Sequence, residues 1–598
     1  MDRNLIMAIV LSMGVLLAWD FLILGPQRDA QEAARAEQAA QQSQETTEDS
    51  ADILGGGLVE EAAPVSVEEA LARSPGRVPI RTETLEGSIN LRGGRVDDLK
   101  LLQYHEEVDE SSPVIRLLNP DETEHGHFIQ QGWALGKELG ARAEWQAPEA
   151  AVLTPSTPVT LTRTAGDLVF EKTISVDDKY MFTVQQTITN NSPGDRVVRA
   201  YATVTQRNIP EDFRNFMILH EGPLGVIGTK LYERKYNTLR KNKNKRVEEA
   251  GVGGWIGITN KNWLAAAIPP QDAEIDAVLT NRGTEENPVF ESFYAMPAET
   301  LAPGQSLTKT SYMFGGPKDV DLLQSYEAQP EDGGLGVYDF DKAVDWGHLF
   351  FLTRPIFYTL NFFGDLIGNF GVAILILTLI IKLILFPLAN KGYESMSKMK
   401  KLQPEIKKLQ ERYADDKMKM QQEMMALYKK EKMNPMAGCF PILLQMPIFY
   451  ALYKTLFVTI ELRHQPFLYI SDLSAPDPTT IFNLFGLLPY DPTSVPLIGV
   501  ILGLGILPIM MGIAMWFQFK LNPPPTDPVQ AQMFAFMPWV FMFIFAPFAA
   551  GLVLYWFWNT FLGIFQQWYI MEKNGVKVEL GERIKLPWTK KSASSEAK

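Results

Sequence analysis

The sequence predicts a polytopic α-helical membrane protein with six transmembrane helices, a large antiparallel β-sandwich outside the cytoplasm and a helical hairpin inside it. Three observations carry this. Apolar runs of about 20 residues, enough to span a bilayer, crowd the C-terminal part of the chain. The polar middle alternates apolar and polar side chains with a period of two. Lys and Arg gather in the short segments on one side of the spans.

At 598 residues the chain exceeds one domain. Its formal charge is −14, and the acidic excess lies mostly before Asp345, which argues against a nucleic-acid partner for the middle. A single cysteine, Cys439, excludes an internal disulfide framework and a cysteine metal cluster.

The first span is Leu5–Leu24. Asp20 interrupts it, and no small-x-small site follows closely, since Ala34-Arg35-Ala36 comes late and contains Arg. An uncleaved signal anchor over residues 1–25 therefore suits it better than a cleaved peptide. Residues 26–76, rich in Ala, Gln, Glu and Ser, read as a disordered linker.

From Arg77 the pattern changes. LVFEKTISV (Leu168–Val176), YMFTVQQTITN (Tyr180–Asn190) and VVRAYATVTQ (Val197–Gln206) alternate with a strand period, and turn residues separate such runs. A sandwich ending near Lys318 follows, with a helix over Val320–Ala328, within a domain spanning 77–344. His125-Gly126-His127 lacks acidic or cysteine partners at ligand spacing and reads as a polar loop. GWALGKE (Gly132–Glu138) lacks the glycine spacing of a phosphate loop and the hydroxyl residue after Lys. No metal site, no nucleotide cofactor or any other cofactor, and no catalytic residue is expected.

An interfacial amphipathic helix over 345–369 leads into a five-helix core, 370–571. Its spans are Phe370–Ala389, Pro435–Ile460, Val495–Phe519, Gln532–Phe548 and Ala549–Ile570, the last two split by a turn at Ala546–Gly551. The Lys/Arg-dense segment 391–434 and the basic tail 572–598 belong in the cytoplasm, and the acidic loop 461–493 outside. Both termini are then cytoplasmic. Within 391–434, Met396, Met399, Leu402, Ile406, Leu409 and Tyr413 form a helical apolar stripe in which Pro404 marks a bend or a fresh start. Ala414-Asp415-Asp416 reads as a turn and N-cap before a second helix bearing Met420, Met424 and Met425. Methionines here either pack the hairpin or offer an adaptable surface to apolar partners.

Lys382 lies inside the span AILILTLIIKLILFPLAN. A mid-span Lys costs roughly 2.5–3.5 kcal/mol, while each Leu, Ile, Val or Phe returns roughly 0.3–0.6, so the helix inserts regardless. Two placements suit the ammonium. It stands about 9 Å from the cytoplasmic end at 1.5 Å per residue, within snorkelling reach of the phospholipid bilayer surface. Alternatively it faces a wet cavity with Thr378, one turn earlier, and with Gln445, Gln518 and Asn559 from other spans. The last five apolar runs hold no Asp or Glu in their interiors, which weakens the alternative of a solute transporter driven by coupling ions.

DDKMKMQQEMMALYKKEKMNPMAGCFPILLQMPIFYALY (Asp415–Tyr453), GLVLYWFWNTFLGIFQQWYI (Gly551–Ile570), FPLANKGYESMSKMKKLQPEIK (Phe386–Lys407) and FGGPKDVDLL (Phe314–Leu323) resemble the YidC family of membrane-protein insertases, Gram-negative type, over nearly the full chain. The resemblance implies non-enzymatic insertion of nascent membrane proteins into the bacterial inner membrane, alone or beside the Sec translocon. It implies a periplasmic β-super-sandwich, a ribosome contact through basic segments, and a groove open to the cytoplasm. The groove's basic residue, usually Arg, maps to Lys382, which keeps the charge and loses the planar fork. Other groove and substrate-contact positions map to Thr378, Gln518, Tyr555 and Trp556.

Overall fold

The computed structural model describes residues 63–576, save 75, 137, 212, 214–218, 414–415, 432–439, 486, 489–491, 493–494, 496–498 and 523–527. The expected first span, most of the linker, the end of the hairpin and nearly all of the basic tail lie outside the described residues. Two compact units divide between Asp345 and Trp346.

The first unit opens with α1 (Val67–Arg73), N-capped by Ser66, whose hydroxyl accepts from the Glu69 amide at 3.2 Å. This is a correction to the linker expected over 26–76: its last part is a capped helix carrying an i,i+4 pair between Glu69 and Arg73. Eighteen strands follow among the described residues. They are β1 (Arg77–Arg81), β2 (Leu85–Asn90), β3 (Arg95–His105), β4 (Val114–Leu118), β5 (His127–Leu135), β6 (Val159–Ala165), β7 (Leu168–Val176), β8 (Met181–Asn190) and β9 (Arg196–Arg207). Next come β10 (Gly222–Ile227), β11 (Lys230–Glu233), the short helix α2 (Tyr236–Lys241), β12 (Val247–Val252), β13 (Gly254–Thr259) and β14 (Trp263–Ile268). Then follow β15 (Glu274–Asn281), β16 (Val289–Ala295), β17 (Glu299–Leu301), β18 (Ser306–Pro317) and helix α3 (Val320–Glu327).

They form two antiparallel sheets. A 10-stranded sheet runs β1-β2-β3-β5-β9-β16-β15-β12, with β4 on β3 and β17 on β9; an 8-stranded sheet runs β11-β10-β13-β14-β18-β8-β7-β6. The alternating runs of the sequence become β7, β8 and β9. In β7, Leu168, Phe170, Ile174 and Val176 turn to the core while Glu171 stays in water. Central strands such as β14 (WLAAAI) are buried throughout, as expected for a strand covered on both faces.

Polar side chains bolt the sheets together. Lys172 on β7 is 1 % exposed and sends its ammonium across the interface to the carbonyls of Gly94 (3.0 Å) and Gln131 (2.7 Å), over the Trp145 ring at 4.8 Å. Gln131 in turn donates to the Tyr312 carbonyl at 3.0 Å and accepts from Ser311 at 2.8 Å on β18. Burial first, then the nearby Arg163 charge, pushes the Lys172 amine down to about 7.

In the second unit, α4 (Phe350–Ile367) packs Ile356, Phe357 and Leu360 inward. Its other side is also apolar, with Phe351, Phe362 and Leu366 more than half exposed. The apolar groups on that outer side match a lipid surface. Gly368, at φ 71°, closes α4 with a left-handed C-cap, and the Asn369 side chain accepts from the Val372 amide at 3.0 Å to start the next helix. That helix, α5 (Phe370–Arg412), runs 43 residues without interruption, about 65 Å and twice a hydrocarbon core. The span and the first limb of the hairpin are thus one element, and Pro404 does not mark a fresh start: Pro387 and Pro404 both lie inside the helix.

Asp416 caps α6 (Lys417–Lys430), accepting from the Lys419 amide at 3.0 Å. Met420 and Met424 are half-buried, while Met418 and Met425 are exposed. The remaining helices are α7 (Phe440–Val458), α8 (Gly499–Leu502), α9 (Ile506–Leu521), α10 (Pro528–Phe545) and α11 (Ala550–Lys573). Among the described residues α5 alone passes a combined length and hydropathy test for a membrane span; Ile506–Leu521 and Ala531–Phe545 are shorter apolar helices. One apolar cluster unites the unit, including Ala373, Leu377, Leu452, Met511 and Val553.

Lys172 sets a pH dependence. Unfolded, its amine titrates near 10.5, and folded near 7. Between these values the unfolded chain binds the proton and the folded one does not, so stability rises with pH across that window. Urea unfolding of the full chain, followed by a signal from the first unit, should lose this rise in Lys172→Met.

Candidate functional site

The polar groups of the helical unit meet along one face of α11. Tyr555, Asn559 and Gly563 stand four residues apart and share that face. At one end the Gln445 amide of α7 donates to the Tyr555 hydroxyl at 2.5 Å. Tyr555 is fully buried; Asn559 is half-buried.

At Gly563 the helices come close. A Cβ there would lie 3.0 Å from the Gln518 amide nitrogen of α9 and 3.4 Å from the Lys382 ammonium of α5. The half-buried Lys382 side chain is therefore turned toward α9 and α11, beside Gln518, and the missing side chain of Gly563 makes room for both. Gln518 also hydrogen-bonds the Tyr393 hydroxyl, about three turns beyond Lys382 on α5. No ion pair among the described residues involves Lys382. This cation stands near the Gln518 amide, and no carboxylate among the described residues pairs with it.

The remaining expected positions differ in character. Thr378 is fully buried, and its hydroxyl donates to the Ile374 carbonyl at 2.6 Å, so it packs against the helix core rather than lining an open cavity. Trp556 is half-buried among aromatics, with ring centroids 4.6 Å from Phe449 and 5.0 Å from Phe545.

Three features escaped the sequence reading. Gly563 is one small residue in an aromatic-rich run. Gln567 is fully buried and donates to Asn522 at 2.8 Å. Lys454, in the last turns of α7, is 1 % exposed; a Cβ on Gly347 would touch its Cε at 3.2 Å. A lysine within an apolar run is the signal that marks Lys454, the same one that marks Lys382.

The N-terminal end of α9 is held by a loop. Asp477 accepts from the Thr479 amide at 2.9 Å and its hydroxyl at 2.6 Å, from Tyr469 at 3.0 Å and from the Leu507 amide at 2.8 Å. It thus caps a helix whose own N-cap, Gly505, has no side chain to offer. As for metals, among the described residues Glu327, Asp339 and Asp341 bring carboxylate oxygens within 4.8 Å of one another. Lys342 neutralises Asp339 at 2.6 Å, and burial, with Asp341 and Asp339 nearby, pushes the Glu327 carboxyl up to about 7. His125 and His127 each have a partner of their own, Glu211 at 3.7 Å and Gln206.

Two family models match the chain: the YidC periplasmic domain over residues 77–359, and the 60Kd inner membrane protein over residues 362–577. A protein of Beijerinckia indica named membrane protein insertase YidC is 44% identical over 99% of each chain. The chain belongs to the YidC family of membrane protein insertases. A Rhizobium meliloti relative of the same name is 45% identical over 100% of both chains. A solved active YidC insertase structure, with its first transmembrane domain resolved, covers 82% of this chain and 92% of its own at 18% identity and a TM-score of 0.36. Within this YidC chain the unit dividing at Asp345 coincides with the change from one family model to the other, within about one helix.

Removing the remote cap tests the N-terminal end of α9. Asp477→Ala should lower the stability of the helical unit by about 1–3 kcal/mol, the cost of leaving buried donors unpaired. Thermal unfolding of the purified chain in detergent, compared with Asp472→Ala, measures it.

Proposed function

We propose that this chain inserts and folds nascent membrane proteins in the bacterial inner membrane through a groove whose positive charge is Lys382. One observation carries the reading: a lysine in an apolar helix turns toward its neighbours, meets Gln518 across Gly563, and has no ion-pair partner among the described residues. A fixed charge in a low-dielectric setting acts at longer range than one in water. It lowers the cost of moving a polar or acidic flank of a substrate out of solvent.

In this reading the chain crosses the membrane six times, with both termini and the hairpin 391–434 cytoplasmic and the sandwich periplasmic. The Lys/Arg distribution supports that orientation. A nascent segment meets the hairpin first, where exposed Met418 and Met425 offer an adaptable apolar surface. Its flank enters the groove beside Lys382, Gln518 and Asn559. The apolar segment then moves into lipid past the aromatic wall of Phe449, Phe545 and Trp556, driven by burial of about 25 cal/mol per Å². Asp477 and its loop keep the outer end closed. The process needs neither covalent chemistry nor a nucleotide. The Sec translocon and the ribosome are partners in this reading, the ribosome meeting the basic tail 572–598. A transporter wants an intramembrane carboxylate for ion coupling, and the apolar runs of the helical unit supply none.

Reconstituted insertion of a single-span substrate with an acidic flank tests the charge. Lys382→Arg should retain most activity, and Lys382→Glu should lose about tenfold, the equivalent of ~1.4 kcal/mol. Gly563→Leu, which fills the space the ammonium occupies, should lower activity toward that of Lys382→Met. Equal insertion by wild type and Lys382→Glu would remove the electrostatic role.

A further inference from the structure

The strand ends at one edge of the 10-stranded sheet enclose a cleft of about 460 Å³ that the insertase reading does not use. Five arginines and three carboxylates line it, a surplus of positive charge in a chain of net charge −14. Two of those arginines, Arg92 and Arg95, flank the turn Arg92-Gly93-Gly94-Arg95 between β2 and β3.

Arg95 is 4 % exposed. Its Nε donates to Asp97 at 3.1 Å, and its guanidinium lies over the Phe128 ring at 4.6 Å. The two terminal nitrogens are less well served. Nη1 stands 3.7 Å from Asp121 and Nη2 3.8 Å from Glu122, ion-pair distances beyond hydrogen-bond reach. The two terminal nitrogens of this buried guanidinium thus have no hydrogen-bond acceptor among the described residues, and Glu122 Oε2 is buried there without a donor. Arg92 is exposed, and its guanidinium forms neither an ion pair nor a hydrogen bond among the described residues.

The turn itself is held from beneath. Gly93, at φ 88°, leaves room for the Ala141 carbonyl, which a Cβ would meet at 2.5 Å. The buried Gln130 amide donates to the carbonyls of Gly93 (3.1 Å) and Ala141 (2.9 Å), and Lys172 donates to that of Gly94 (3.0 Å). Both arginines are therefore presented on a fixed backbone, which reduces the ordering cost of binding.

We propose that this cleft binds a small polar molecule that carries an oxyanion, phosphate or carboxylate, together with hydroxyl groups. Guanidinium forks match planar or tetrahedral oxyanions. Asp121 already accepts from Arg207 at 2.6 Å, but the buried Glu122 Oε2 has no donor among the described residues and accepts only, and so calls for a hydroxyl donor on the same ligand. No aromatic ring lines the cleft among the described residues, and its apolar side chains are small, Val289 being the largest. Nucleobases and lipid chains have nothing to stack or pack upon.

Titration calorimetry on the full chain in nanodiscs tests this, with inorganic phosphate and glycerol 1-phosphate as probes at constant ionic strength. Saturable binding of both is expected, tighter for glycerol 1-phosphate. Arg92→Gln, an exposed site whose loss leaves the fold intact, should weaken both by about fivefold or more, as should Arg95→Lys, which keeps the charge and removes the fork. An unchanged unfolding midpoint in Arg92→Gln separates lost binding from lost structure. No saturable binding of either probe by about 10 mM, or binding unaltered in both variants, would overturn the proposal. Phosphate binding without preference for glycerol 1-phosphate would overturn its hydroxyl-recognising half.

Discussion

The helical unit is organised around the difficulty of keeping a charge away from water. An ammonium in an apolar helix is tolerated only where dipoles or water replace its hydration. Here Lys382 and the amide of Gln518 both lie beside the space left by Gly563, on the face of α11 that carries Asn559 and the Gln445–Tyr555 pair. Among the described residues no carboxylate pairs with it. Were an Asp beside it, the pair would satisfy itself, and the site would be a structural ion pair.

The two ends of α9 differ in their polar contacts. At its N-terminal end one carboxylate, Asp477, gathers backbone and hydroxyl donors from its own loop and from the helix start. This rigid, saturated arrangement has no spare hydrogen-bonding capacity. The later part of α5 leads on to α6, where Met418 and Met425 are exposed. Lys454 shows that burial of a second lysine is possible in the same unit when the surrounding backbone approaches closely, as at Gly347.

The sandwich follows a related logic. Lys172 and Gln131 cross between sheets to backbone carbonyls, so the interface has a fixed register as well as an apolar filling. The same lysine, together with Gln130, fixes the turn that carries Arg92 and Arg95. Core packing and the shape of the cleft are thus one set of contacts.

Much of this was legible in the sequence. Period-two alternation located β7, β8 and β9 closely because one face of each must leave water. Asp416 was legible as a cap, since a short acceptor before a helix satisfies a free amide. The continuity of α5 was not, because a proline removes one backbone hydrogen bond and that cost alone does not say whether neighbouring turns carry the helix on. Composition also overstated the linker, since a seven-residue helix needs only a cap and one ion pair to read as polar low-complexity text.

By itself, the sequence determined which segments avoid water and with what period, hence a membrane-embedded helical unit joined to an antiparallel sandwich, and it singled out Lys382 by the energy of its setting. Only the tertiary structure decided which way that ammonium points, that Thr378 is sealed while Gly563 is the gap, and that Arg92 and Arg95 share a cleft with Asp121 and Glu122. The reason is physical: burial and periodicity are properties of neighbouring residues along a chain, whereas the surroundings of a charge depend on atoms contributed by segments far apart in sequence.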